Sequence, residues 1–390
     1  MLFRFGLGFV LFALLCVCIA ARNMRRAGCG RALTAIVAVA LLAGGVFPFF
    51  VTAFGGSMVA PEMSALVFVP AAALNLFLSC YGVLLFLRWL VGVALRLAAG
   101  SERPVRGRSA EYVLVLLAAA TALWGYWQAT GPARVVDVEV RLAKLPEELE
   151  GLTIVQLSDL HASAIVNDRR IAAAVHTVNA LKPDLVVLTG DFVDGRVRTR
   201  LEDLAPLKRL AAPLGVWGCE GNHEHYVEYE GWRKALPTLG VHMLHNAGVV
   251  LTHRGAQLIL AGLTDPKAAV FGRELPDLDK ALAGLQKREG EKLPVILLSH
   301  QPKNARYYVG RADLMLSGHT HGGQVFLFSP WVWVMNSGFV RGLYEVADKE
   351  HPDVRPMQLY VNQGLYAWAG FALRLGTHGE ITRITLRRAP

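Results

Sequence analysis

Beyond residue 130 the chain carries a single cysteine, Cys219; the other four, Cys16, Cys18, Cys29 and Cys80, lie before it. Residues 131–390 can therefore form neither an internal disulfide nor a cysteine-based zinc site, and cysteine usage says nothing of their redox compartment. Charge is also scarce, with 18% of residues charged against 53% hydrophobic. Its distribution is uneven. Residues 1–130 hold ten basic and three acidic residues, a net of +7, whereas residues 131–390 hold thirty and twenty-eight, a net of +2. The overall +9 thus belongs mostly to the first part. The second part lacks the basic cluster that nucleic acid requires, so no nucleic-acid partner is expected. No internal repeat or low-complexity tract is visible. A chain of 390 residues has room for more than one structural unit, and residues 131–390 suffice for a sizeable core.

Long apolar runs occur only before residue 130, at about Phe5–Ala21, Ala32–Phe54, Ala65–Leu87 and Tyr112–Ala129. A spanning helix needs about 20 mostly apolar residues, which the second and third meet comfortably and the others nearly. The first is not laid out as a cleaved signal peptide, because its positive charge follows the apolar run (Arg22, Arg25, Arg26, Arg31) and only Arg4 precedes it. Residues 1–130 are therefore expected to be a transmembrane region of four helices. The loop Gly55–Met63 has no Lys or Arg, while the loop after the third run has Arg96, Arg103, Arg106 and Arg108. Basic loops stay cytoplasmic, so both termini, and the large second part, are expected on the periplasmic or extracellular side. Arg88 is the single candidate for an intramembrane charge and is expected to snorkel from a helix end. No transport path is evident, so these helices read as an anchor in the lipid bilayer. Residues 131–150 read as a linker and an edge strand, and 151–390 as one globular domain.

In that domain apolar runs of strand length end abruptly in polar residues. "LTIVQLS" leads into Asp159 and His161, "DLVVLT" into Asp191 and Asp194, and "LGVWGCE" into Asn222 and His223. "PVILLS" leads into His300, and "DLMLS" into Gly318-His319-Thr320-His321. Runs apolar throughout predict strands covered on both faces. Between the first two, Ile171, Val175, Val178 and Leu181 keep helical spacing, which predicts a strand–helix–strand unit and an α/β fold. "LEDLAPLKRLAA" reads as a further helix. Functional groups of open α/β sheets gather beyond the carboxyl ends of strands, so five such loops would share one rim.

The donor types at that rim are carboxylate, imidazole and amide, which suit manganese, iron or zinc. Sulfur is missing, which argues against a structural zinc or an iron–sulfur centre. Asp159, His161, Asp191, Asn222, His300, His319 and His321 are too many for one ion and fit two that share a carboxylate. Paired ions clamp the attacking and leaving oxygens of a phosphoryl displacement and supply a metal-bridging hydroxide. The blocks D-x-H, G-D-x-x-D, G-N-H-E, a lone H and G-H-x-H, in this order, resemble the calcineurin-like metallophosphoesterase superfamily over about residues 150–385. "GHTHGGQ" and "RLGTHGEITRITL" look most like its membrane-associated bacterial branch, with Thr377-His378-Gly379 standing where proline often precedes "EIT".

The resemblance implies a four-layer α/β/β/α sandwich and a metal-dependent phosphoric ester hydrolase with two divalent ions, manganese the first choice. Asp159, His161 and His321 would hold one ion, Asn222, His300 and His319 the other, and Asp191 would bridge both. His223, oriented by Asp194, would protonate the leaving oxygen without binding metal. The substrate would be a phosphomonoester or phosphodiester, including lipid-linked ones. The alternative is a membrane receptor or scaffold with a non-catalytic metal site, whose signature would be a missing ligand or a missing His223. Glu224 reads as a neighbour of the site or a surface residue, Asp265 as a residue bordering it, and His225, His242, His245 and His253 as structural. The aromatic stretch "FLFSPWVWVMNSGF" reads as a core strand, a membrane-facing flap or an apolar wall for a lipid tail, and Tyr360, Tyr366, Trp368 and Phe371 raise the same question.

Overall fold

The computed structural model describes residues 2–99, 107–285 and 293–389. Arg103 and Arg106, two of the loop charges invoked above, lie outside the described residues. The chain divides into two compact units, Met1–Trp127 with Gly370–Leu373, and Gln128–Ala369 with Arg374–Pro390.

The first unit consists of helices α1 (Leu2–Arg26), α2 (Arg31–Phe54), α3 (Ala65–Ala99) and α4 (Arg108–Thr130). Among the described residues these are the four helices long and apolar enough to cross a membrane. The third is longer than its apolar run because the helix continues past Arg88 to Ala99. Arg88 is therefore not at a helix end and does not snorkel. Its guanidinium pairs at 2.8 Å with Glu111 in the first turn of α4, whose side chain is buried. An apolar setting favours such pairing, since a lone charge there is far costlier than a matched one.

The second unit begins with β1 (Arg134–Leu142), β2 (Thr153–Leu157), α5 (Asp168–Ala180) and β3 (Leu185–Thr189). Next come α6 (Val197–Leu204), β4 (Val216–Cys219), α7 (His223–Tyr226), α8 (Tyr229–Ala235) and β5 (His242–Met243). Strands β6 (Ala247–His253) and β7 (Ala256–Gly262), helix α9 (Leu278–Leu282), then β8 (Val295–Leu298) and β9 (Leu314–Ser317) follow. The chain closes with α10 (Ser329–Met335), β10 (Gly342–Val346), β11 (Met357–Val361) and β12 (Glu380–Arg388). The expected helix over "LEDLAPLKRLAA" starts earlier and stops at Leu204, where Pro206 tightens the chain into a 3-10 turn.

Two six-stranded sheets form among the described residues, in the orders β1-β12-β2-β3-β4-β5 and β10-β11-β9-β8-β7-β6. Strands β2 to β5 are parallel, as are β7, β8, β9 and β11. Strand β1 lies at an edge, as expected, paired to β12. The sheets meet through Ile154, Leu185 and Val187 from one and Leu260, Ile296, Leu298 and Leu316 from the other. The alternate residues Val186 and Leu188 are fully buried on the opposite face, where Ile171, Val175 and Val178 of α5 are buried too. This is the four-layer α/β/β/α sandwich. Gln156 joins the sheets near their carboxyl ends, donating to Thr189 Oγ1 and to the Ser317 carbonyl, both at 2.9 Å. The loops leaving β2, β3, β4, β8 and β9 therefore open along one edge.

The aromatic stretch is not a core strand. Phe326–Phe328 is a 3-10 turn leading into α10, and no residue of either is buried. Phe339, by contrast, is buried edge-to-face on Tyr344. Tyr360 and Tyr366 are also structural, their hydroxyls donating to Glu380 at 2.6 Å and to the Arg170 carbonyl at 2.9 Å.

Candidate metal centre

All nine expected site residues meet at that edge. The ligand atoms of Asp159, His161 and His321 lie within 4.8 Å of one another, and those of Asp191, His300 and His319 do likewise. Asp191 Oδ2 sits where the clusters adjoin, 3.8 Å from His161 Nε2, 3.1 Å from His300 Nε2 and 4.0 Å from His223 Nε2. Asn222 Oδ1 is 3.2 Å from His300 Nε2.

Hydrogen bonds behind the rings set which nitrogens face inward. His161 Nδ1 donates to Asp194 Oδ1 at 2.8 Å, and His300 Nδ1 donates to the Thr189 carbonyl at 2.7 Å. Each leaves Nε2 aimed at the carboxylates, the arrangement a metal-binding imidazole uses. A third grouping within 4.8 Å, His161, Asp194 and His223, is built differently. There Asp194 Oδ1 accepts the Nδ1–H of His161 at 2.8 Å and lies 2.7 Å from Nδ1 of His223 as an ion-pair contact. Asp194 thus serves two rings, one more than the sequence suggested.

Strain and small residues shape the loops. Asp159, His161, Asp191, His319 and His321 all have left-handed backbones, with φ from 46 to 72°. Such conformations cost about 1 kcal/mol or more each in non-glycine residues and persist where the surroundings enforce them. The neighbouring glycines are required for room. A Cβ on Gly221 would lie 2.3 Å from Asp191 Oδ1, and one on Gly318 would lie 1.9 Å from Ser158 Oγ.

The electrostatics follow from burial and opposed charge. Burial would raise the Asp191 carboxyl, but His300, His223 and His161 hold it well below the usual range. His300 is raised well above its ordinary value by Asp191 despite its burial. Asp159 is raised, mainly by burial. Burial and the His300 charge bring His319 down to about 3, so its ring is neutral and able to ligate at neutral pH. Burial also works against a charged His223, yet Asp191 and Asp194 push it up to about 9.

Two more residues support the site: Glu224, which the sequence offered as a neighbour of the site or a surface residue and which is the former, and Arg374, which the sequence did not single out. Glu224 is buried, and its carboxylate accepts from the backbone N–H groups of Asp191 (3.1 Å), Phe192 (2.7 Å) and Gly221 (2.7 Å). It ties two ligand loops together, at the expense of a carboxyl raised to about 7 by burial and by Asp191. Arg374 is fully buried and donates to the carbonyls of Gly364, Tyr366 and His378, and to His321 Nδ1 at 3.3 Å. Nothing in their sequence neighbourhood signals that these charges are buried. Asp265 does border the site, accepting from Gln301 Nε2 at 2.8 Å. His225 and His245 hold the buried Glu220 at 2.8 and 2.9 Å, a structural role.

The donor set fits divalent cations. Nε2 of His161 and Nε2 of His321 face each other at 3.3 Å. Two nitrogens about 2.1 Å from one tetrahedral ion sit about 3.4 Å apart. The cluster floors a cavity of 590 Å³. Lys303 and Gln301 line one part of it, Trp368 another, and Phe328, Trp331 and Met335 form its apolar wall.

The family model for calcineurin-like phosphoesterases matches residues 152–323, which include all nine site residues. A "Transmembrane protein with metallophosphoesterase domain" from Danio rerio is 37% identical over 330 residues, 80% of this chain and 72% of the relative. An "Uncharacterized metallophosphoesterase" from Helicobacter pylori is 34% identical over 264 residues, 67% of this chain and 66% of the relative. The similarity thus extends to animals and does not confine the chain to a bacterial branch. Among solved structures, the NAD nucleotidase of Haemophilus influenzae aligns with a TM-score of 0.41 at 16% identity, over 57% of this chain and 45% of that one. The chain spans about half of that structure, and a likeness of this degree bears on no substrate.

Proposed function

Because this chain belongs to the calcineurin-like phosphoesterase family, we propose that it is a membrane-anchored hydrolase of phosphoric esters whose centre holds two divalent cations. The observation that carries this reading is the position of Asp191 Oδ2, faced from one side by His161 and from the other by His300. Asp159, His161 and His321 would hold one cation, and Asn222, His300 and His319 the other, with Asp191 shared. Bound cations acidify water to a nucleophile near neutral pH and offset the charge of a phosphoryl group.

The remaining work falls to the chain itself. His223, with Nδ1 held 2.7 Å from Asp194, keeps a proton on Nε2 at the cavity and gives it to the leaving oxygen. Lys303 adds positive charge to the cavity for a phosphoester anion. The apolar wall suits an ester with a hydrophobic leaving group or tail, a lipid-linked phosphoester among them.

The direct test is the purified full chain, charged with manganese, against phosphomonoester, phosphodiester and lipid-pyrophosphate substrates. Turnover of at least one class, abolished by a chelator and restored by the metal, is expected. Bound metal without turnover on any would favour a receptor or scaffold instead. We further propose that the second unit faces the periplasm or cell exterior, from the basic loops between the helices. Cys219 is buried and unsuitable as a labelling site, so proteolysis is the test. Cleavage of the second unit in intact spheroplasts is expected, and protection there would reverse the topology.

A further inference from the structure

The stretch 325–340 contains no charged residue and two tryptophans, Trp331 and Trp333. A helix that packs on its own domain hides one face. Here Phe326 is 61% exposed, Trp331 67%, Trp333 56% and Val334 66%, and no residue of Phe326–Met335 is buried. The segment Phe326–Met335 is also the one shorter apolar helix among the described residues, after the four candidate spans. Large apolar patches on a soluble surface mark an interaction site. Tryptophan rings in particular settle at the boundary between lipid headgroups and acyl chains.

The partner follows from the chain's own connectivity. Only Gly131, Pro132 and Ala133 separate the last candidate span, α4, from β1, so with α4 in the bilayer the second unit is tethered to it by three residues. The same segment supplies Phe328, Trp331 and Met335 to the wall of the cavity over the metal cluster. We propose that Phe326–Met335 is a flap that inserts into the lipid leaflet at the mouth of the site. A phosphoester whose apolar part lies in the membrane would then enter along its inner side. The insertion itself stands apart from the phosphoesterase reading; only the route of entry rests on it.

Two measurements on the full chain in nanodiscs of phosphatidylcholine and phosphatidylglycerol decide this. In a background with Cys18→Ser and Cys29→Ser, a nitrobenzoxadiazole label is placed at Val334→Cys, and for reference at the exposed His351→Cys. Blue-shifted emission at 334, quenched by nitroxide lipids at least threefold more than at 351, is the expected result. Equal quenching overturns the proposal. In the second, Trp333→Glu with Val334→Glu, neither of which lines the cavity, is compared with the parent chain. Hydrolysis of p-nitrophenyl phosphate should stay within about twofold, while hydrolysis of a phospholipid in the nanodisc falls about tenfold. A parallel fall in both, or in neither, counts against the flap. If the parent chain hydrolyses nothing, the phosphoesterase reading fails alone and the quenching still decides insertion.

Discussion

Asp191→Asn is expected to strip metal from both clusters and to lower turnover about a thousandfold, equivalent to about 4 kcal/mol of barrier. The substitution is nearly isosteric. An amide oxygen can still accept at Oδ1, where the His223 backbone N–H donates at 2.8 Å, so the loop keeps its shape. What is lost is the negative charge at Oδ2, the atom that adjoins His161 on one side and His300 on the other. Removing it deprives both cations of their shared anion. Metal analysis after gel filtration, alongside steady-state kinetics, reads the outcome. Retention of both ions by Asp191→Asn would show that the carboxylate is not shared.

His223→Ala is expected to separate chemistry from metal binding. Turnover of an alkyl phosphoester should fall between about a hundredfold and ten-thousandfold, the usual contribution of a positioned proton donor. Metal content should stay near that of the parent chain, because the hydrogen bond from residue 223 to Asp191 Oδ1 is made by its backbone N–H, which alanine keeps. The effect should also depend on the leaving group. A p-nitrophenolate leaves without protonation, so its ester should lose much less than an alkyl ester. Equal losses on both esters, or loss of metal matching that of Asp191→Asn, would overturn the role given to His223.

The α/β fold and the convergence of the site were readable from the sequence because both rest on local order, whereas the four-layer sandwich followed from the family resemblance. An apolar run that stops at Asp159, Asp191, Asn222, His300 or His319 states its strand and its polar end in one short segment, and parallel pairing brings those ends to one edge. Features that depend on docking were not readable. Glu224 follows His223 directly, yet nothing local shows that it is buried against three backbone N–H groups. Arg88 of α3 finds Glu111 twenty-three residues away, in the first turn of α4. The stretch "SPWVWVM" has the β-branched and aromatic content of a strand, but Pro330 opens a helix. The left-handed backbones of Asp159, His161, Asp191, His319 and His321 are likewise consequences of the assembled loops.

The central claim is that Asp191 lies between two cations, and anomalous diffraction from manganese-loaded crystals tests it most directly. Two peaks are expected, one among Asp159, His161 and His321 and the other among Asn222, His300 and His319, with the Asp191 carboxylate between them. A single peak, or one beside Asp194 and His223 with none at Asp191, would contradict the account.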